Sequence, residues 1–355
     1  MTINHKRFLD LAFEIAKKNL GKTKLNPSVG TIIVKNNTVI STGVTSINGR
    51  PHAEFNALNI NNNFEGADLY STLEPCSHYG LTPPCTNIIK KNKIKNVYYA
   101  FNDPDKRSYK KVEKILKKNK INTKLINSNN FKNFYTSYYF NQKFKLPFIS
   151  AKIAISKDYY SINKINKWIT NKQSQKITHL LRSKNDCIFS TSKTINIDNA
   201  LLNCRIDGLN NYKPDLFIID LDFKLKKNLL INNISSKRKT YLIINNKNKK
   251  KINYFKKKGF KFIFTDSLLS KNDFNKLSSK IYKLGYSRIL FETGLTFLNS
   301  LIKYKLINDL YIFQSIKMLK KNGINNSSPL LLKKIKLKKK INVNLDSDNL
   351  YKIEF

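Results

Sequence analysis

Two α/β domains are predicted for this chain of 355 residues. Three observations predict them. The length is long for one domain and comfortable for two. Strand-like apolar runs alternate with segments of helical period, the signature of layered α/β folds. The alternation breaks at Pro147, inside FNQKFKLPF (140–148), which sets domains of 1–145 and 146–355. An apolar fraction of 41%, with 12% aromatic, suffices for two cores and excludes a disordered polymer.

HKRFLDLAFEIAKKNLG (5–21) places Phe8, Leu11, Ala12 and Ile15 on one helical face, with Gly21 as the stop. VGTIIVKNNTVISTGVTS (29–46) reads as a hairpin turning at Asn36-Asn37. A helix from about Ala53 to Ile60, a strand in ADLYSTLE and a helix opening at Cys85 follow. NVYYAFND and KKVEKILKKN then give a strand and a helix. Beyond Pro147 the reading is a strand in FISAKIAIS, a helix in SQKITHLLRS, and strands in DCIFSTS, DLFIIDL, KTYLIINN, FKFIFT and RILFET. A helix in TFLNSLIKY and further strands finish the second α/β domain, and there is no internal repeat.

The net charge of +43 invites a nucleic-acid reading. Its distribution argues against one. Residues 1–145 hold 24 basic and 9 acidic residues and the remainder 42 and 14, so no single stripe forms. Only seven of the 66 cations are arginine, the residue suited to bidentate phosphate contacts. Runs such as NKNKKKINYFKKKG (246–259) and KKIKLKKK (333–340) read as solvated faces. No membrane-spanning run or signal-like h-region is visible, which predicts a cytoplasmic protein without membrane partners. Of four cysteines, Cys187 and Cys204 read as buried thiols, and His5 and His179 as structural or surface residues.

The chemical signal is GRPHAEFNAL (49–58) followed by TLEPCSHYGLTPPC (72–85). His52, Cys76 and Cys85 supply three N/S ligands for zinc and leave the fourth position to water. Glu54, two residues from His52, would shuttle protons without ligating. Cys85 opens a helix, where the dipole favours a thiolate. A chance pair of buried thiols beside an unrelated His-Glu is the bland alternative, and the joint pattern makes it improbable. The zinc-deaminase signature pairs His-x-Glu with Pro-Cys-x-x-Cys; here the second cysteine comes nine residues after the first. His78, inside that loop, reads as a substrate contact.

That long loop, with PHAE and NPSVG (26–30), resembles the bifunctional riboflavin-biosynthesis deaminase–reductase family. The resemblance implies a cytidine-deaminase-like three-layer domain followed by a dihydrofolate-reductase-like domain. It implies Zn2+ on His52, Cys76 and Cys85, Glu54 as proton carrier and Asn26 against the pyrimidine. The implied substrate is a phosphoribosyl diaminopyrimidinone, deaminated and then reduced to the ribityl form with NADPH. A homo-oligomer acting on this small molecule, with no specific nucleic-acid partner, is expected. Leu81 stands where the family carries a basic residue, and after NDP (102–104) DKRSYKK replaces a Gly-rich turn, leaving Lys106 or Arg107 as anion-binding substitutes.

The second domain has no Gly-x-Gly-x-x-Gly, so a two-glycine dinucleotide fingerprint is absent. A strand, Gly294 and a helix near Thr296 instead offer N–H groups to a pyrophosphate. AKIAIS with Asp158, WIT (168–170), LLRS (180–183), STSKTINID (190–198) and FETG (291–294) resemble the family's reductase half in order. Carried over, Ala154, Trp168, Thr194, Asp198 and Gly294, Leu295, Thr296, Phe297, Leu298, Asn299 and Ser300 fall at NADP-binding positions. Asn166, Arg182, Leu202, Arg205 and Glu292 fall at substrate positions, and Lys152 at the reaction centre. Read singly, Trp168 could be core, Asp198 a helix N-cap and Glu292 a strand end. Tyr159 and Tyr160 replace a Gly-Arg pair, and NKINK (163–167) replaces a small-residue segment. Two other readings compete: a deaminase with a degenerate reductase half, and a tRNA-editing deaminase or basic RNA-binding protein. The long cysteine loop, scarce arginine and lack of an aromatic stacking motif disfavour the last.

Overall fold

The computed structural model describes residues 4–127, 131–208, 214–245, 248–337 and 339–355. Two compact units divide between Lys145 and Leu146. The first carries α1 (His5–Lys17), β1 (Gly30–Lys35), β2 (Thr38–Val44), α2 (Ala53–Leu58), β3 (Asp68–Ser71), α3 (Cys85–Lys91), β4 (Asn96–Tyr99), α4 (Val112–Lys117), β5 (Asn122–Leu125) and α5 (Thr136–Phe144). Its sheet runs β2-β1-β3-β4-β5, antiparallel at both edges of β1 and parallel from β3 to β5.

Period-2 alternation sends successive residues of each strand to opposite faces. Ile32, Val34 and Tyr70 join Phe8, Leu9, Phe13 and Tyr138 on the face covered by α1 and α5. Ile33, Leu69 and Val97 join Ala57, Leu58, Ile89 and Leu116 on the face covered by α2, α3 and α4. The unit is therefore a three-layer sandwich. Asn36 and Asn37, both at positive φ, make the β1–β2 turn, a conformation asparagine tolerates.

The second unit contains β6 (Phe148–Ile155), β7 (Ile162–Asn163), α6 (Lys172–Ser183), β8 (Cys187–Thr191), α7 (Ser192–Asp198), β9 (Asp215–Ile219), α8 (Ile231–Ile234) and β10 (Thr240–Ile244). It continues with α9 (Lys249–Lys257), β11 (Phe260–Phe264), α10 (Lys271–Lys283), β12 (Arg288–Glu292), α11 (Leu295–Lys303), β13 (Asp309–Gln314), β14 (Gly323–Ile324), α12 (Leu330–Lys334) and β15 (Asn349–Glu354). Eight strands line up as β11-β10-β9-β8-β12-β6-β13-β15, all parallel except β15. Phe274, Leu277, Leu295 and Leu298 of α10 and α11 pack on one face, against Phe189, Phe217 and Phe291. Ile195, Ile231 and Phe255 of α7, α8 and α9 cover the other, against Ile188, Leu216 and Leu242. The rings of Phe189, Phe217 and Tyr241 stack across three neighbouring strands, with centroids 4.7 and 4.4 Å apart.

Several sequence readings need correction. In α1 the buried face is Phe8, Leu9, Ala12, Phe13 and Ala16, whereas Leu11 is exposed. The 3.6 period fits both stripes, and the larger Phe13, stacked on Phe131, selects this one. The lysine run 246–259 is no simple solvated face: α9 buries Phe255 beneath its charges. Its first two residues, and Lys338 of the run 333–340, lie outside the described residues. Helix α10 was passed over although Ser270 and Asp273 form a capping box, a legible start signal. Asp198 ends α7 and so is not an N-cap. Cys187 and Cys204 are buried thiols, as expected, and His5 bonds the Tyr70 hydroxyl at 2.8 Å. Among the described residues no helix is long and apolar enough to cross a membrane.

Candidate active sites

Two short helices begin side by side in the first unit and bring the predicted metal ligands together. His52 precedes α2, Glu54 lies in its first turn, and Cys85 is the first residue of α3. Gly43 lets α2 lie flat on the sheet, because a Cβ there would stand 2.1 Å from the Ala53 carbonyl oxygen. The approach to His52 is fixed by Gly49, whose φ of +91° suits glycine alone. Asn26 Nδ2 donates to the Gly49 carbonyl at 3.0 Å, while its Oδ1 makes no hydrogen bond among the described residues.

His52 Nδ1 lies 3.5 Å from Cys76 Sγ and 3.4 Å from Cys85 Sγ. Tetrahedral zinc with ordinary Zn–S and Zn–N bonds holds such atoms about 3.6 Å apart, so the donor set and its spacing fit the metal. These three residues are a metal-type cluster among the described residues, their ligand atoms all within 4.8 Å of one another. The Cys85 backbone N–H donates to Cys76 Sγ at 3.2 Å. The Cys76 thiol is held down to about 4, first by a hydrogen bond from the Cys85 side chain and then by His52. The same bond, with burial, pushes Cys85 up. The Cys85 thiol also donates to Glu54 Oε2 at 3.4 Å. Burial raises the Glu54 carboxyl above the usual carboxylate range, and the neighbouring Cys76 charge adds to this. A buried acid that prefers to keep its proton is suited to proton transfer.

Glu74, directly before Pro75-Cys76, is a residue the sequence reading missed. Its buried carboxylate accepts from the backbone N–H groups of Asp103, Lys110, Lys111 and Val112 at 3.0–3.3 Å. It thereby ties the DKRSYKK loop to the metal loop. His78 Nδ1 contacts Ser108 Oγ at 2.8 Å, a second tie to the same loop. Arg107 is bound to Asp105 through Nε and Nη2, which takes it away from an anion-binding task. Leu81 is 87% exposed.

In the second unit, Glu292 ends β12 and pairs in register with Lys152 of β6. Arg182 of α6 clamps Glu292 through Nε–Oε1 at 2.6 Å and Nη2–Oε2 at 2.9 Å, both side chains nearly buried. Arg182 Nη1 also donates to the Asn203 carbonyl at 2.9 Å. Arg205 reaches Asn203 Oδ1 at 2.7 Å. Burial and the two arginines lower His179 to about 4, and its Nδ1 lies 3.0 Å from the Asn203 carbonyl oxygen and 3.2 Å from the Arg205 backbone N–H. Burial lowers the Lys152 ammonium, with Glu292 opposing the shift. Leu202 points into the core and its carbonyl accepts from Arg238 at 2.8 Å.

The turn after β12 meets α7 where the Gly294 N–H donates to Thr194 Oγ1 at 3.3 Å. Of residues 294–300, Leu295 and Leu298 are core and Phe297 packs against it. Asn299 is bonded to Ser327 and Ser328, while Thr296 is exposed and donates to the Asn326 carbonyl. Trp168 is 56% exposed, with Lys167 Nζ over its ring, and Lys167 donates to the Asp198 carbonyl at 2.9 Å. Asn166 is exposed and Ala154 lies on β6. The structure thus gathers Lys152, Arg182, Arg205 and Glu292 around the end of β12, with Gly294 and Thr194 meeting in the turn just beyond it.

Comparison with known proteins agrees with both halves. Residues 2–101 match the cytidine and deoxycytidylate deaminase zinc-binding region, and residues 147–342 match the RibD C-terminal domain. The riboflavin biosynthesis protein RibD of Aquifex aeolicus is 30% identical over 326 residues, 88% of this chain and 87% of that protein. RibD of Bacillus amyloliquefaciens is 32% identical over 203 residues, where the match spans about half of each chain, 56% and 55%. The fold of Acinetobacter baumannii RibD superposes with a TM-score of 0.82 at 23% identity, covering 99% of this chain and 98% of that one.

A zinc-binding deaminase domain followed by an NADPH-dependent reductase domain is therefore the class of protein in hand. The chain belongs to the RibD family of riboflavin biosynthesis enzymes. Nothing in the comparisons favours a deaminase-only or RNA-directed alternative.

Proposed function

We propose that the first unit hydrolytically deaminates 2,5-diamino-6-(5-phosphoribosylamino)pyrimidin-4-one and that the second reduces the ribosyl chain of the product. The observation that carries the first half is a buried Glu54 carboxyl beside the His52, Cys76 and Cys85 cluster. Zinc on those three ligands would activate water for attack on the amidine carbon, and NADPH would supply hydride to the opened ribosyl group. Glu54 takes the proton from the attacking water and returns it to the departing ammonia. Asn26, with its free Oδ1, orients the ring. Lys152 stands at the reaction centre of the second unit, with Arg205 directed to the substrate and the Arg182–Glu292 pair fixing the surrounding backbone. The cofactor spans Ala154, Trp168, Thr194, Asp198 and the Gly294–Ser300 turn. The activity belongs to residues 1–145 and 146–355 respectively, in a cytoplasmic homo-oligomer whose size light scattering would give.

Incubation of the zinc-loaded chain with the diaminopyrimidine phosphate tests this reading. Ammonia release without NADPH, followed by NADPH oxidation when it is added, is the expected result. Failure of the first step refutes the deaminase assignment, and failure of the second alone refutes the reductase assignment.

A further inference from the structure

The loop between Cys76 and Cys85 contains no lysine or arginine. One cation nevertheless reaches it. Arg50 Nη1 lies 3.2 Å from Thr82 Oγ1 and 3.2 Å from His52 Nε2. Its Nη2 comes within 4.0 Å of where a Cβ on Gly80 would stand. Arg50 is only half-buried, and no carboxylate forms an ion pair with it among the described residues. Arg107, the other arginine near the loop, is occupied by Asp105.

The contact with His52 holds the decisive detail. Nδ1 of His52 faces the two sulfurs, so a ligating ring carries its hydrogen on Nε2. Arg50 Nη1 is also a donor, and it is charged. Two donors 3.2 Å apart repel unless an acceptor comes between them or beside them. The Thr82 hydroxyl oxygen accepts from the same Nη1, which leaves its own hydrogen to donate to a further acceptor. Three donors, one of them cationic, converge with no acceptor of opposite charge.

We infer that Arg50, with Thr82 and His52 Nε2–H, forms the subsite that recognises the substrate's phosphate at the rim of the metal cluster. This rests on the deaminase reading above and deepens it. Arg50 is a specificity determinant: it holds the anionic end of the nucleotide and takes no part in proton transfer. An arginine–phosphate contact is charge-assisted, and its loss is worth about tenfold to a hundredfold in affinity.

The test compares ammonia release from the phosphorylated pyrimidine and from its dephosphorylated ribosyl form. The proteins are the zinc-loaded chain, Arg50→Met, Arg50→Lys and the double variant Arg50→Met/Leu81→Lys. Expected for Arg50→Met is a drop of about tenfold to a hundredfold in kcat/KM on the phosphorylated compound, carried by KM. The dephosphorylated compound should be turned over as by the parent, and ribose 5-phosphate should cease to inhibit. Arg50→Lys should retain part of the discrimination. Leu81→Lys, which places a cation on the same loop, should restore part of what Arg50→Met lost. Zinc content should stay at one per chain in all four. Equal losses on both compounds, or loss of zinc from Arg50→Met, would show that Arg50 only steadies His52 and would overturn the inference. So would undiminished discrimination. A parent chain that releases no ammonia from either compound overturns the deaminase reading itself, and this inference with it.

Discussion

The metal cluster and the strand-end cluster of the second unit are built in opposite ways. The first gathers His52, Glu54 and Cys85 from two helix starts and Cys76 from the loop before the second, all inside a span of 34 residues. The second draws Lys152, Arg182, Arg205 and Glu292 from a strand, a helix, a loop and another strand spread over 141 residues. In the first, residue type dictates function, since few side chains ligate zinc. In the second, position dictates it, since arginine and glutamate are ordinary residues until the sheet brings them together. Damage should therefore stay confined to chemistry in the first unit and spread to stability in the second.

The widest separation should come from Cys85→Ser. Zinc content is expected to fall to near zero and ammonia release to vanish, while NADPH oxidation with supplied aminouracil phosphate continues. Loss of both activities would mean that the units do not work independently. Glu54→Gln should be milder and more selective, keeping the metal while deamination falls about 10²- to 10⁴-fold. A variant that lost zinc as well would make Glu54 a ligand. On the other side of the comparison, Arg182→Leu leaves Glu292 buried without its partner, at a cost of about 3–5 kcal/mol. Thermal unfolding should show a weakened second transition with zinc content unchanged.

The smallest effect lies in pH. Burial raises Asp103 to about 7, and the Tyr138 hydroxyl donates to it at 3.1 Å. Its folded value exceeds the unfolded one, so the fold binds its proton more tightly. The contribution to stability is full below about pH 4 and is lost as pH rises towards 7. Asp103→Asn should flatten that part of the stability–pH curve of the first unit. A curve that keeps its slope would place the titration elsewhere.

Legibility followed the same division. The ligands and Glu54 could be read because His-x-Glu and the two cysteines are rare types at telling spacings, and the structure sets them within hydrogen-bonding reach. The hairpin at Asn36-Asn37 was equally clear, since those residues tolerate positive φ. Arg50 was overlooked because nothing in a sequence says that an arginine two residues from a ligand bends towards Thr82. The Arg182–Glu292 clamp joins residues 110 apart, and only the fold, which sets α6 beside the end of β12, makes them neighbours. Helices α9 and α10 were hidden by lysines, which carry no period of their own while the few apolar residues between them do the packing.

Glu74 reads its partner loop purely through peptide N–H groups. Those donors are the same whatever side chain follows them, so the carboxylate sets the loop's path and leaves its spelling free. Only proline, which has no N–H to give, is barred from positions 103, 110, 111 and 112. Within DKRSYKK, Asp105 and the buried Ser108 are held by their own side-chain bonds, and the remaining letters can change while the loop still lands in the same place. Evolution would find there a freely editable rim on a fixed catalytic floor.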